Sequence, residues 1–183
     1  MASPARFVFA LAAAWSVFAA GGAAAQAPPD PMAPLEDAAA LRRAGDWERA
    51  TRLLEPLRSD PGAVGAAAAL ALGNLRLERG DARGAESPLR QGAEAQGPLR
   101  PYAALLLARC LHELGRDDEA LSELSGMPDS GAPASLATRA LRLRAGVLHA
   151  LKRPNEESEV WRRLSQTARS GRREEVYFKL AET

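Results

Sequence analysis

Leu75-Arg-Leu-Glu-Arg-Gly80-Asp-Ala-Arg-Gly-Ala85 decides the fold: a run of helix formers stops at a glycine, an aspartate follows, and an alanine stands five residues after the glycine. The pattern recurs 35 residues earlier as Leu41-Arg-Arg-Ala-Gly45-Asp-Trp-Glu-Arg-Ala50 and 35 residues later as Leu111-His-Glu-Leu-Gly115-Arg-Asp-Asp-Glu-Ala120. A fixed period of this size means stacked supersecondary units, each too small to bury its own apolar face alone. Glycine accepts the left-handed backbone that closes a helix. Asp46 and Asp81 are placed to accept from the free N–H groups that open the next helix. Each copy therefore reads as helix, tight turn, helix.

Away from the turns, Ala, Leu, Arg and Glu dominate, and no alternating strand pattern of useful length occurs. First helices are predicted over Leu35 to Ala44, Ala63 to Arg79, Pro101 to Leu114 and Ser135 to Leu151. Their partners are predicted over Asp46 to Arg58, Asp81 to Ala95, Asp117 to Ser125 and Asn155 to Ala168. Pro101 suits a first turn and Ser135 an N-cap. Gly73, Ala108 and Ala145 stand seven residues before the turns, and Ala50, Ala85 and Ala120 five after; a bulky side chain at either place would hold the helices apart. Leu54, Leu72, Leu89, Leu107, Leu111, Leu124, Leu148 and Leu164 fill the gaps, with Trp47 and Trp161 expected to pack between pairs. The fourth turn falls at Lys152, and Glu174 to Glu182 reads as the first half of a fifth copy, which either caps the array or offers an unfinished face to a partner.

The N-terminal stretch Met1 to Ala25 carries Arg6, an apolar run from Phe7 to Ala20 and small residues ending Ala23-Ala24-Ala25, the layout of a secretory leader cut before Gln26. Its apolar run is too short to span a bilayer. Residues 26–34 hold four prolines and read as a tether, and residues 35–183 as one helical domain. Without Arg6 the chain has 23 basic and 23 acidic residues, so net charge gives no drive toward nucleic acid or anionic lipid. One cysteine forms no internal disulfide, and Cys110 is expected to pack as a small apolar residue.

Leu72-Gly73, Gly80-Asp81 and Ala85, echoed around Gly45 and Gly115 with Pro61 closing the first copy, resemble the tetratricopeptide repeat over roughly residues 35–183. The 35-residue spacing is also that of pentatricopeptide RNA-binding repeats. The Gly-Asp turn followed by Ala, the neutral mature charge and the leader favour the former, since an RNA reader needs a basic surface. The resemblance implies an all-α, right-handed superhelical solenoid of antiparallel helix pairs, with about four repeats and a C-terminal helix.

It also implies that a protein or peptide partner binds the concave side, lined by first helices. Carried onto this chain, that groove comprises Arg42, Asn74, Leu77, Tyr102, Arg109, His112, Arg139, Arg142 and His149, with Arg43, Leu70 and Leu105 beside them. Many acids lie at turns and on second helices, so the inner face is expected to be basic and its ligand acidic and apolar. Leu70 stands where some relatives carry a basic residue beside the Asn74 position, so their clamp for a C-terminal carboxylate is not reproduced. His112 and His149 fall about 10 Å apart on neighbouring helices, too far to share one ion, so neither a metal nor a cofactor is expected. No nucleophile with a base, Gly-x-Ser-x-Gly elbow or phosphate loop is present, which argues against an enzyme. The expected role is an exported scaffold, periplasmic or secreted. An accessory subunit recruiting substrate to an envelope enzyme and a self-associating structural protein are the alternatives.

Overall fold

The computed structural model describes residues 30, 32–127 and 133–166; the leader and the 174–182 segment lie outside them. Eight helices and no strand occur among these residues. They are α1 (Ala33–Arg43), α2 (Trp47–Leu57), α3 (Ala63–Glu78), α4 (Ala82–Glu94), α5 (Arg100–Glu113), α6 (Asp117–Ser125), α7 (Ala134–Ala150) and α8 (154–166). None of the described helices is long and apolar enough to cross a membrane. The first helix opens earlier than its sequence suggests, taking Pro34 into its first turn, where a missing N–H does no harm. Pro101 does the same in α5. Ser135 is not the cap of α7: the helix starts at Ala134 after Pro133, and no side chain caps it.

Turn chemistry sets the hairpins. Gly45, Gly80 and Gly115 have φ of 79°, 75° and 75°, and Lys152 takes the same left-handed place at φ 55°. Asp46 Oδ1 accepts from Arg49 N at 3.1 Å and Asp81 Oδ1 from Gly84 N at 2.9 Å, satisfying donors at the openings of α2 and α4. The small residues that flank the turns then let the helices close. Ala50, Ala85, Ala108 and Ala120 are fully buried, and a Cβ on Gly73 would stand 2.4 Å from Leu89 Cγ.

Helices α1, α3, α5 and α7 lie side by side in one layer, while α2, α4 and α6 fit between successive members of that layer with their backbones held apart and side chains bridging them. The array therefore bends toward its first helices, as a superhelix of paired repeats does. Leu54, Leu72, Leu89, Leu107, Leu111 and Leu148 are at most 2 % exposed and fill the gaps between pairs. Half-buried Trp47 joins Leu35, Leu41 and Leu57 over a cluster that contains Ala68, Leu72 and Leu75 of α3, clamping the first hairpin to the second. Cys110 is buried, and its Sγ donates to the Ala82 carbonyl at 3.0 Å. Desolvation, reinforced by Glu86, pushes its thiol up to about 11, so it packs rather than reacts.

Two departures have local causes. Pro88 sits inside α4 and has no N–H for the Gly84 carbonyl; Arg76 Nη1 donates to that oxygen instead, at 2.8 Å. In the fourth hairpin Glu157 stands where the others have a buried alanine, and the helix turns Val160 inward, 4 % exposed. Trp161 consequently does not pack in the core. It is 48 % exposed, its Nε1 donates to Glu157 Oε1, and Leu164 is only half-buried.

Candidate functional site

The packing of first helices leaves a depression of about 650 Å³ that crosses all four of them. Leu35 comes from α1; Leu70, Asn74 and Glu78 from α3; Tyr102, Leu105, Leu106 and Arg109 from α5; Leu136 and Arg139 from α7. Counted back from each turn residue, the lining positions repeat at 16, 13, 10, 9 and 6, with Glu78 at 2 extending the same stripe. The floor is apolar: Leu105 and Leu136 are almost covered, Leu70 and Leu106 half-buried, and Tyr102 is 38 % exposed. Tyrosine exposed over such a floor is a common contact residue, because it offers a large face with few rotatable bonds.

Polar groups ring this floor, and most of them are already matched. Glu78 Oε1 accepts from Arg42 Nη1 at 2.8 Å and from Asn74 Nδ2 at 3.0 Å, so it ties α1 to α3. Arg109 Nε donates to Glu113 Oε1 at 2.8 Å. The inner face is thus less basic than its arginines suggest, because Glu78 and Glu113 lie on first helices beside them. Arg139 and Arg142 are different: both are exposed and neither has a hydrogen bond or ion pair among the described residues.

Asn74, Tyr102, Arg109 and Arg139 thus lie together in the depression, and Arg42 reaches it through Glu78. Leu77 does not line it; at 2 % exposure it is part of the core. His112 and His149 also lie off it. His112 Nδ1 meets Asp117 across its own turn, and His149 Nδ1 meets Glu157 at 3.2 Å. Arg42, Leu77, His112 and His149 share the position three before the turn, on the order of 80° round the helix from the centre of the lining stripe. Arg142 shares the register of Leu35, Leu70 and Leu105 and continues the stripe beyond the depression. Leu106, Leu136 and Glu78 lay in the sequence unnoticed; carrying the lining register of one repeat onto the next would have found them.

On the opposite surface the repeats are joined by ion pairs and side-chain hydrogen bonds. Gln91 Nε2 donates to the Arg58 carbonyl at 2.7 Å, while Arg58 Nε donates to Gln91 Oε1 at 3.0 Å. Glu86 accepts from Arg90 at 2.9 Å and Arg116 at 2.7 Å, and these two guanidinium groups hold its carboxyl below the usual glutamate range.

These features agree with what known proteins show. The tetratricopeptide-repeat family pattern matches residues 76–145, from the end of α3 into α7. No curated protein matches the sequence. Among solved structures, MamA AMB-1 superposes with a TM-score of 0.58 at 23 % identity, over 75 % of this chain and 78 % of that one. MamA MSR-1 gives 0.60 at 21 % identity, over 78 % and 79 %. At such identity the likeness speaks to the fold, and the fold, the turn register and the family pattern agree: residues 76–145 carry the tetratricopeptide-repeat pattern, and the described helices form a solenoid of that fold.

Proposed function

We propose that the domain is an adaptor acting outside the cytoplasm, whose groove holds a segment of another protein. An apolar side chain of that segment sits over Leu70, Leu105 and Leu106 against Tyr102, and a neighbouring carboxylate pairs with Arg139. The observation that carries this reading is the continuous apolar floor, open to solvent and shared by four helices, in a fold that serves as a protein-interaction scaffold. The leader-like residues 1–25 support the location, and the prolines of residues 26–34 support a tether between leader and domain.

Site-specific photocrosslinking in the producing cells tests it. A photoreactive residue at Tyr102 should capture a partner that one at Arg83, on the far surface, does not, and Leu70→Asp should abolish the capture. Equal capture from both positions would rule out the groove. For export, the chain recovered from the envelope fraction should begin at Gln26; a chain retaining Met1 to Ala25 in the cytosol would refute that part.

A further inference from the structure

Between α2 and α4 the repeats are joined by an arginine that has no counterpart between α4 and α6. Arg58, 13 residues after its turn, has a side chain only 19 % exposed. Its Nε donates to Gln91 Oε1 at 3.0 Å, its Nη2 to Ser87 Oγ at 3.4 Å and its Nη1 to Glu55 Oε1 at 3.1 Å. Ser87 and Gln91 stand 7 and 11 residues after the next turn. Counted the same way one repeat later, Arg58 becomes Ala93, Ser87 becomes Ser122 and Gln91 becomes Gly126. The serine is kept and the arginine is gone.

Ala93, Ser122 and Gly126 instead help to line a depression of about 390 Å³, with Arg100, Ala104 and Glu123. Ala104 is half-buried there, whereas Ala69, at the same place in α3, is fully covered. Glu123 is half-buried and has no hydrogen bond or ion pair among the described residues. It lies one turn before Gly126, so it supplies an acceptor on the helix face that Gln91 uses in the preceding repeat. We propose that this notch takes an arginine side chain of a partner protein, whose guanidinium donates to the Glu123 carboxylate and the Ser122 hydroxyl. Arg100 does not stand against it: its Nε is held at the rim by the Ala93 carbonyl at 3.2 Å, and a glutamate between two guanidiniums is a recurring arrangement in this molecule. Glu55 takes Arg58 and Arg76, and Glu86 takes Arg90 and Arg116. Lysine suits the place less, because an ammonium lacks the planar fork that reaches two acceptors at once. The notch shares no lining residue with the groove, and the assignment does not depend on the groove reading.

Filling the notch from within and from outside tests the proposal. Ala93→Arg supplies the missing side chain and should raise the melting temperature, with a smaller rise when Glu123→Gln is also present. N-acetyl-arginine amide, titrated into the isotope-labelled protein, should shift the amide resonances of residues 122–127 saturably. N-acetyl-citrulline amide, nearly the same shape without the charge, should bind at least about tenfold more weakly, and so should the arginine probe to Glu123→Gln. Ala93→Arg should abolish the shifts, because its own guanidinium takes the place. A lower melting temperature for Ala93→Arg, no saturable shift in the wild-type protein, or equal binding of the arginine probe to wild type and Glu123→Gln would each overturn the proposal. A wild-type dimer that Ala93→Arg returns to monomer would overturn it too, by giving the notch to a second copy.

Discussion

The fourth turn offers a test of opposite signs at equivalent positions. Lys152 holds φ 55° where the other turns have glycine at 75–79°. A residue with a Cβ in this conformation costs about 1–2 kcal/mol, and glycine costs about 0.5–1 kcal/mol in extra unfolded-state freedom. Lys152→Gly should therefore stabilise by roughly 0.5–1 kcal/mol. Gly80→Ala should destabilise by a similar amount, because a Cβ on Gly80 meets nothing within 4 Å and only conformational strain is at stake. Lys152→Ala, which keeps a Cβ, should be nearly neutral. Urea denaturation followed by circular dichroism at 222 nm reads all three, and the melting temperature should move by about 1–4 °C in each of the first two. If Lys152→Gly and Gly80→Ala shift stability in the same direction, or if Lys152→Ala matches Lys152→Gly, turn strain is not what distinguishes the fourth repeat.

Gly73→Ala should lower stability by about 1–3 kcal/mol in thermal melts, although alanine is the better helix former, because Leu89 stands in the way of the new methyl; a gain would show that α3 and α4 have room to part. Arg144 occupies the register of buried Leu72 and Leu107, and its Nε is buried without a hydrogen-bond partner. Arg144→Leu should consequently stabilise by about 1–2 kcal/mol in urea titration, and a loss would mean that this guanidinium has a partner in solution. Glu86 is more acidic folded than unfolded, so it contributes stability above the ordinary glutamate range that is lost as pH falls through its lowered value. Melting curves from pH 6 to pH 3 should therefore fall less steeply for Glu86→Gln than for the unmodified protein; parallel curves would remove the Arg90–Glu86–Arg116 pairing from the account of acid stability.

The parts of this molecule legible in the sequence are those set by one or two residues acting locally. Gly45, Gly80 and Gly115 mark the left-handed turns, Asp46 and Asp81 the caps, and the alanines the close approaches, because each requirement excludes most other side chains. Pro88 shows where such reasoning stops: the pattern carries a helix through this proline, but only the fold reveals that Arg76, twelve residues away on another helix, satisfies the carbonyl it frees. Trp161 fails for a related reason. Its register says core, but Glu157 stands at the alanine place one turn earlier, and Val160 is the neighbour that is buried. The groove was legible as a face and not as a charge. Tyr102, Arg109 and Arg139 fall where repeat geometry puts them, whereas the neutralisation of Arg42 by Glu78 needs two helices from different repeats to be laid side by side. Long-range pairing of this kind sets the charge of the groove. On the proposed reading, the stripe of apolar side chains supplies the adhesion and, with Arg42 and Arg109 matched from within, the attraction for a carboxylate is left to Arg139 and Arg142 of α7, so a partner would be selected by where its charge stands relative to its apolar residue rather than by net acidity.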